Sequence, residues 1–204
     1  MCTLFSNAQT VNAVEAFFAA LSDLARPPQL PNSGFTPGEE IPVLLSDTRR
    51  MLTSRRWGWK KSDGGTVANA RSETAGDKPF FARHADRHRC VVPADGFYEF
   101  RRANRTSPPW RFALRSTTLF GLAGLMNDDG EIVLLTTEPN ACVRPIHNRM
   151  PVILPFDALS HWLDPQKPFR SLSDAWLAPW SETDTVACVP KPCTPPLVQT
   201  ELFE

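Results

Sequence analysis

Leu119-Phe120-Gly121-Leu122-Ala123-Gly124-Leu125, then Asn127-Asp128-Asp129-Gly130, then Ile132-Val133-Leu134-Leu135-Thr136 is the stretch whose reading decides the fold. Two short apolar runs flank a cluster of turn formers, the pattern of an antiparallel hairpin. Runs of similar length, β-branched content and Gly/Asp/Asn punctuation lie at 41–46, 51–57, 89–92, 97–101 and 110–115, with a last short one at 186–189. All read as strands. Helical spacing is rarer. Val14, Phe17, Phe18, Leu21 and Leu24 predict an amphipathic helix over 11–25, capped by Thr10 or Asn12. Two shorter helices are expected at 156–163, after Pro155, and at 173–180. Many strands with few helices predict an α+β single domain built on a strongly bent β-sheet or barrel, with the helices around it. The domain should span 1–190, leaving 191–204 as a proline-rich tail.

The chain has 204 residues, 42% of them hydrophobic, enough for one sizeable core. No apolar run has the length of a membrane span, and the N-terminus lacks the charged-then-apolar pattern of a signal peptide. Five cysteines at 2, 90, 142, 188 and 193 form no Cys-x-x-Cys pair, which argues against a disulfide framework and for a reducing compartment. A soluble, cytoplasmic protein is expected. Formal net charge is zero, yet residues 49–115 carry sixteen Lys/Arg against six Asp/Glu, and the remainder six against sixteen. That asymmetry suggests a polyanionic partner for the central segment, unless strand alternation merely exposes solvated charges.

Four stretches interrupt buried-looking sequence with polar residues: Asn69-Ala70-Arg71-Ser72-Glu73-Thr74, Pro93-Ala94-Asp95-Gly96-Phe97-Tyr98-Glu99-Phe100, Thr136-Thr137-Glu138-Pro139-Asn140, and Ile146-His147-Asn148-Arg149-Met150-Pro151-Val152-Ile153-Leu154. Glu99, between aromatics, is placed where desolvation raises a carboxyl pKa into the range of acid–base catalysis; pairing with an arginine is the plainer reading. His147 precedes an apolar strand and by itself reads as a hydrogen-bonded core histidine. His84 and His88 have metal-compatible i, i+4 spacing, but no third ligand lies near them in the sequence, so no metal is expected. In Arg55-Arg56-Trp57-Gly58-Trp59-Lys60-Lys61, cations alternate with indole rings, which suits single-stranded nucleic acid; Trp57 reads as core and Trp59 as the surface stacking candidate.

Cys2 is the remaining candidate. Removal of Met1 would leave it with a free α-amine beside its thiol, a 1,2-aminothiol that no internal residue reproduces. An aldehyde condenses with the amine to an imine, and the sulfur then closes a five-membered ring. The α-amine has a reference pKa of about 7.7–8.0 against about 10.4 for lysine, so roughly a tenth of it is nucleophilic near neutral pH.

Met1-Cys2 and these four stretches together resemble the SRAP family, the SOS-response-associated peptidase domain, also called abasic-site processing or HMCES-like proteins. The Asn-Ala-Arg-x-Glu-Thr, Pro-x-Asp-Gly-Phe-Tyr-Glu-aromatic and His-x-Arg-Met-Pro runs occur in family order. The resemblance implies binding to abasic sites in single-stranded DNA, with Cys2 joined to the ring-opened sugar aldehyde as a thiazolidine. It also implies removal of Met1, whether by the domain itself or by an aminopeptidase. By the same resemblance Asn69 positions the cysteine or the sugar, Glu99 acts as acid–base, and His147 assists proton transfer at the ring oxygen. Arg71 and Arg149 hold flanking phosphates, and Pro37, in Phe35-Thr36-Pro37-Gly38, belongs to a turn near the DNA groove. No cofactor is implied. The chain departs from the pattern at Thr3 and Leu4, where the family has Gly-Arg, and in a short tract between Gly58 and Asn69.

Two other functions fit the same residues. Cys2 with His147 as base would make a thiol amidohydrolase or peptidase. A chain that had lost the chemistry would be a plain single-stranded DNA-binding module.

Overall fold

A computed structural model describes residues 2–46, 49–101, 108–172 and 174–188. The turn at 127–130 closes through Gly130 N–H on Asn127 O and Asn127 N–H on Glu131 O, both 3.0 Å, with Gly130 at φ 77°. Glycine takes that left-handed backbone without steric penalty. Strands Phe120–Met126 and Ile132–Thr137 leave the turn antiparallel, Met126 opposite Ile132.

These strands lie inside a nine-stranded sheet whose path runs Met150–Pro151, Ile132–Thr137, Phe120–Met126, Arg89–Ala94, Glu40–Ser46, Arg50–Arg56 and Leu21–Ser22. Ile153–Leu154 pairs with Phe120–Met126, and Asn69–Arg71 runs parallel to Ile132–Thr137. A five-stranded sheet orders Thr185–Cys188, Trp110–Leu114, Gly96–Glu99, Phe5–Asn7 and Asn32–Phe35. A two-stranded ribbon joins Trp59–Lys60 to Thr66–Val67.

The apolar runs of the large sheet are buried on both faces. Cys90, Val92, Leu122, Ile132 and Leu134 face the smaller sheet, packing with Phe5, Phe97 and Phe112. Val91, Ala123, Leu125, Val133 and Leu135 face Val14, Phe18, Leu159 and Trp162 of the helices. A middle layer covered on two sides reads as continuous apolar sequence rather than alternation. Close packing here requires small residues: a Cβ on Gly121 would lie 2.5 Å from Val91 Cγ1.

The chain crosses between the sheets at Asp95, between Arg89–Ala94 and Gly96–Glu99. Its carboxylate accepts from Ser6 Oγ at 2.6 Å and from Ala8 N–H at 2.8 Å, and Arg111 Nη2 donates to its Oδ1 at 3.1 Å. A buried carboxylate satisfied this way fastens the N-terminal strand to the corner, and Cys2 lies just ahead of that strand.

The architecture is the α+β single domain expected, mostly sheet with a few helices. Among the described residues the sheets form no closed barrel. The first helix is Val11–Phe18, capped by Thr10 Oγ1 on Ala13 N–H at 3.3 Å, and it ends well short of residue 25. Ala19 adopts φ 49°, and Leu21–Ser22 then runs as an edge strand parallel to Met51 and Leu52. Leu24 is exposed, so its helical spacing is coincidental. The late helices are Leu159–Leu163, entered through the 3-10 turn Phe156–Ala158, and Asp174–Leu177. Residue 173, where the latter was expected to begin, and the tail at 191–204 lie outside the described residues. The last strand is Thr185–Cys188. No helix among the described residues is long and apolar enough to cross a membrane.

Candidate active site

Strand Phe5–Asn7 pairs with Gly96–Glu99, Phe5 opposite Phe97, and Tyr98 N–H donates to Leu4 O at 2.9 Å. This register draws Cys2 in beside Glu99. Cys2 is fully buried, and Asn69 Nδ2 donates to its carbonyl at 2.9 Å. Asn69 reaches that position because Asn69–Arg71 adds to the large sheet, Asn69 opposite Leu134. The other amide atom, Asn69 Oδ1, is buried without a hydrogen-bond partner among the described residues. A vacant acceptor beside the Cys2 backbone suits an ammonium or sugar hydroxyl as partner.

Glu99 and His147 complete the cluster. Glu99 is buried, and burial pushes its carboxyl up to about 8, so at neutral pH it is largely a protonated acid. His147 Nδ1 lies 3.5 Å from Glu99 Oε2, 3.1 Å from Arg149 O and 3.2 Å from Arg149 N. The last two contacts accommodate either protonation state of Nδ1: neutral, it accepts from the amide, and protonated, it donates to the carbonyl. Burial, and then the nearby Glu99 charge, push the Cys2 thiol well above its ordinary value. Cys2 is therefore a thiol at rest. Cys90 is buried and Cys142 half-buried, both free like Cys2.

Arg149 is placed by strand Met150–Pro151 against Ile132–Thr137. Its guanidinium pairs bidentately with Glu73, both contacts 2.7 Å, while its Nε is buried without a hydrogen-bond partner among the described residues. Burial alone would raise the Glu73 carboxyl, but the Arg149 bonds outweigh it and hold the carboxyl below its usual range. Glu73, within the Asn69–Thr74 stretch, is thus the partner that fixes Arg149. Arg71, two residues before it, is exposed. Pro37 sits in a tight turn with Gly38 at φ 103°, Glu39 N–H donating to Thr36 O at 3.2 Å. The turn lies beside exposed Arg56, whose Nη2 would be 3.9 Å from a Cβ on Gly38.

Trp59 is a correction. It is buried rather than on the surface, its Nε1 donates to Glu131 O at 2.6 Å, and its ring packs on Phe80 and Phe81. Trp57 is core, as expected, with Nε1 on Ala68 O at 2.9 Å. The half-buried ring near the site is instead Trp110, directly opposite Glu99 in the antiparallel pair and therefore on the same sheet face. The Arg101 guanidinium lies over its ring at 5.9 Å.

The central positive charge is also less available than its count suggests. Arg89 is buried and donates to the Ala85 and Lys167 carbonyls, Arg50 to Phe18 O, and Arg111 serves Asp95. A cleft of about 690 Å³ borders Glu73, but Glu73, Asp77, Glu138 and Asp174 line it against Arg170 alone, the wrong balance for a phosphate backbone.

Buried Cys2, the neighbouring Glu99 and His147, and the Asn69 bond to the Cys2 carbonyl form one cluster drawn from Met1-Cys2 and three of the polar stretches, mounted on two sheets joined at Asp95. The model of the family described as SOS response associated peptidase (SRAP) matches residues 1–191. The chain belongs to the SRAP family. Over 173 residues it is 35% identical to the abasic site processing protein YoaM of Bacillus subtilis, covering 77% of this chain and 76% of YoaM. It is 28% identical to the abasic site processing protein HMCES of Xenopus tropicalis, spanning 66% of this chain and 54% of that one. A crystal structure of a Bordetella bronchiseptica protein shares the fold with TM-score 0.75 at 24% identity, covering 93% of this chain and 100% of that one.

Proposed function

We propose that this protein captures abasic sites in single-stranded DNA covalently, through Cys2, once Met1 is removed. The observation that carries the reading is the Asn69 clamp on the Cys2 carbonyl, in the same pocket as Glu99 and its His147 neighbour. The sugar must first open: one group protonates the ring oxygen while another takes the hemiacetal proton, and an acid beside an imidazole suits that exchange. The α-amine of Cys2 then adds to the aldehyde, and Glu99 protonates the departing hydroxyl, which leaves as water. The Cys2 thiol adds to the carbon of the resulting iminium, whose nitrogen keeps its proton, and the thiol proton passes to the Glu99 carboxylate, which restores the acid. The net change is loss of one water. Because the amine attacks first, a thiol that rests protonated is compatible with this order. A thiol-protease reading asks for a resting thiolate, which burial of Cys2 opposes.

Around the reaction centre, exposed Arg71 contacts a flanking phosphate, Arg149 does so only once it is drawn from its Glu73 pair, the Pro37 turn borders the strand, and Trp110 with Arg101 offers a stacking platform. Met1 removal falls to the pocket itself or to an aminopeptidase, and the chemistry is lyase-like. A reducing compartment such as the cytoplasm keeps Cys2 available. The test is incubation with an abasic single-stranded oligonucleotide followed by denaturing electrophoresis, with intact mass used to verify that the protein starts at Cys2. Wild type should give a covalent band, Cys2→Ala none, and Cys2→Ser at most a labile imine. A processed wild-type protein without a band refutes the proposal.

A further inference from the structure

We propose that His84, His88 and Asp128 form a binding site for a divalent ion of borderline softness, such as zinc, clipping helix Pro79–Ala85 to the hairpin turn at 127–130. The three side chains come from two segments, each independently fixed. His88 N–H donates to His84 O at 2.8 Å, which carries the helical repeat one turn past Ala85 and puts both imidazoles on one face. Met126 N–H donates to His88 O at 2.7 Å, fastening that turn to the strand that leads into the hairpin. The hairpin then brings Asp128, 40 positions from His88 in the sequence, over both rings.

The distances are those of close contacts longer than good hydrogen bonds. His84 Nδ1 to His88 Nδ1 is 3.5 Å, and Asp128 Oδ1 lies 3.6 Å from the first and 3.7 Å from the second. All three separations exceed the about 2.7–3.2 Å of a good N–H···O or N–H···N bond. They form a nearly equilateral triangle, and an ion at its centre would sit about 2.1 Å from every ligand atom, the bond length zinc takes with imidazole nitrogen and carboxylate oxygen. A tetrahedral ion out of that plane needs edges of about 3.4 Å, a contraction of a few tenths of an ångström that the exposed Asp128 can supply. The fourth position is open to water. Two imidazoles and one carboxylate suit zinc, cobalt or nickel better than calcium or magnesium, which prefer all-oxygen shells. Trp59 packs edge-on against His84 at 5.1 Å and holds that ring in place.

Arg83 is the competitor. Its Nε donates to His84 Nε2 at 2.7 Å, and its Nη2 lies 3.7 Å from Asp128 Oδ2. With Nε2 accepting, the neutral ring keeps its proton on Nδ1; an ion displaces that proton, Nε2 takes one up, and the exposed Arg83 swings away. Arg83→Ala should therefore tighten binding.

The experiment is titration of chelator-treated full-length protein with Co2+, read by the visible d–d absorption of a tetrahedral site, then displacement by Zn2+. Melting temperature is followed in parallel. Wild type should bind one equivalent. Asp128→Ala, on an exposed turn, should fold normally and lose affinity by more than the about 10–100-fold that removal of even an outer partner costs. His88→Ala should do the same, and Arg83→Ala should bind several-fold more tightly. No Co2+ spectrum from wild type, or equal binding by wild type and Asp128→Ala as cysteine ligation would give, overturns the proposal.

Discussion

Replacing Glu99 by glutamine should make the protein's stability less dependent on pH, and the structure sets the sign and the size. In the folded chain the carboxyl titrates at about 8 against an ordinary 4.5, chiefly because it is buried. Between those values the folded state keeps a proton that the unfolded chain has released, so stability falls as pH rises through the window. The stabilisation is complete below 4.5 and gone above about 8. At about 1.4 kcal/mol per pH unit the ceiling is about 5 kcal/mol. Relaxation and water entry around the ionised carboxylate bring that down to about 2–4 kcal/mol. Glutamine has no such titration. Urea unfolding of wild type and Glu99→Gln at constant ionic strength from pH 4.5 to 9 should show the stability difference shifting in the variant's favour by that amount. A difference that moves by less than about 0.5 kcal/mol, near the resolution of the extrapolation, would mean that Glu99 ionises normally and would remove the basis for its role as an acid. The same variant should form the abasic crosslink about 10²–10⁴-fold more slowly.

Trp59→Ala should lower stability by about 3–5 kcal/mol, as loss of a large core side chain does, while the folded fraction binds single-stranded DNA as before; denaturant melts and fluorescence anisotropy separate the two. Trp110→Ala should weaken single-stranded DNA binding by about 1–3 kcal/mol, the value of one stacked base, in the same anisotropy assay. Glu73→Gln should release Arg149 to phosphate, steepening the salt dependence of DNA binding by about one counterion. An unchanged slope would place Arg149 in a purely structural role.

The sheet framework was legible because hairpin turns and β-branched runs are local signals. Gly130 could be read as a turn residue without knowing what surrounds it. The end of the first helix could not, because Leu21 and Leu24 keep helical spacing while Ala19 turns left-handed and Leu21 joins the edge of a distant strand. The reactive cluster was legible as a set of motifs, though the sequence holds no measure of the Asn69 to Cys2 distance. Trp59 misled because alternating cations and indoles look alike whether the rings face water or a helix. Its position over Phe80 and Phe81 depends on how the 59–67 ribbon docks. Glu73 and Asp128 were invisible as partners for a single reason: each meets its counterpart only after strands far apart in the chain have found their register.

The burial of Cys2 also sets a deadline. Once strand Phe5–Asn7 is docked between Asn32–Phe35 and Gly96–Glu99, the Cys2 side chain is sealed and its carbonyl is held by Asn69. An aminopeptidase that must draw Cys2 into its own cleft would therefore compete with folding, most easily while the nascent chain is still short. On the proposed chemistry, which needs the free Cys2 amine, chains that fold first depend on the pocket's own acid and imidazole to expose it. Under that proposal the fraction of crosslinking-competent protein is a ratio of two rates, trimming and folding, set at synthesis rather than at the lesion.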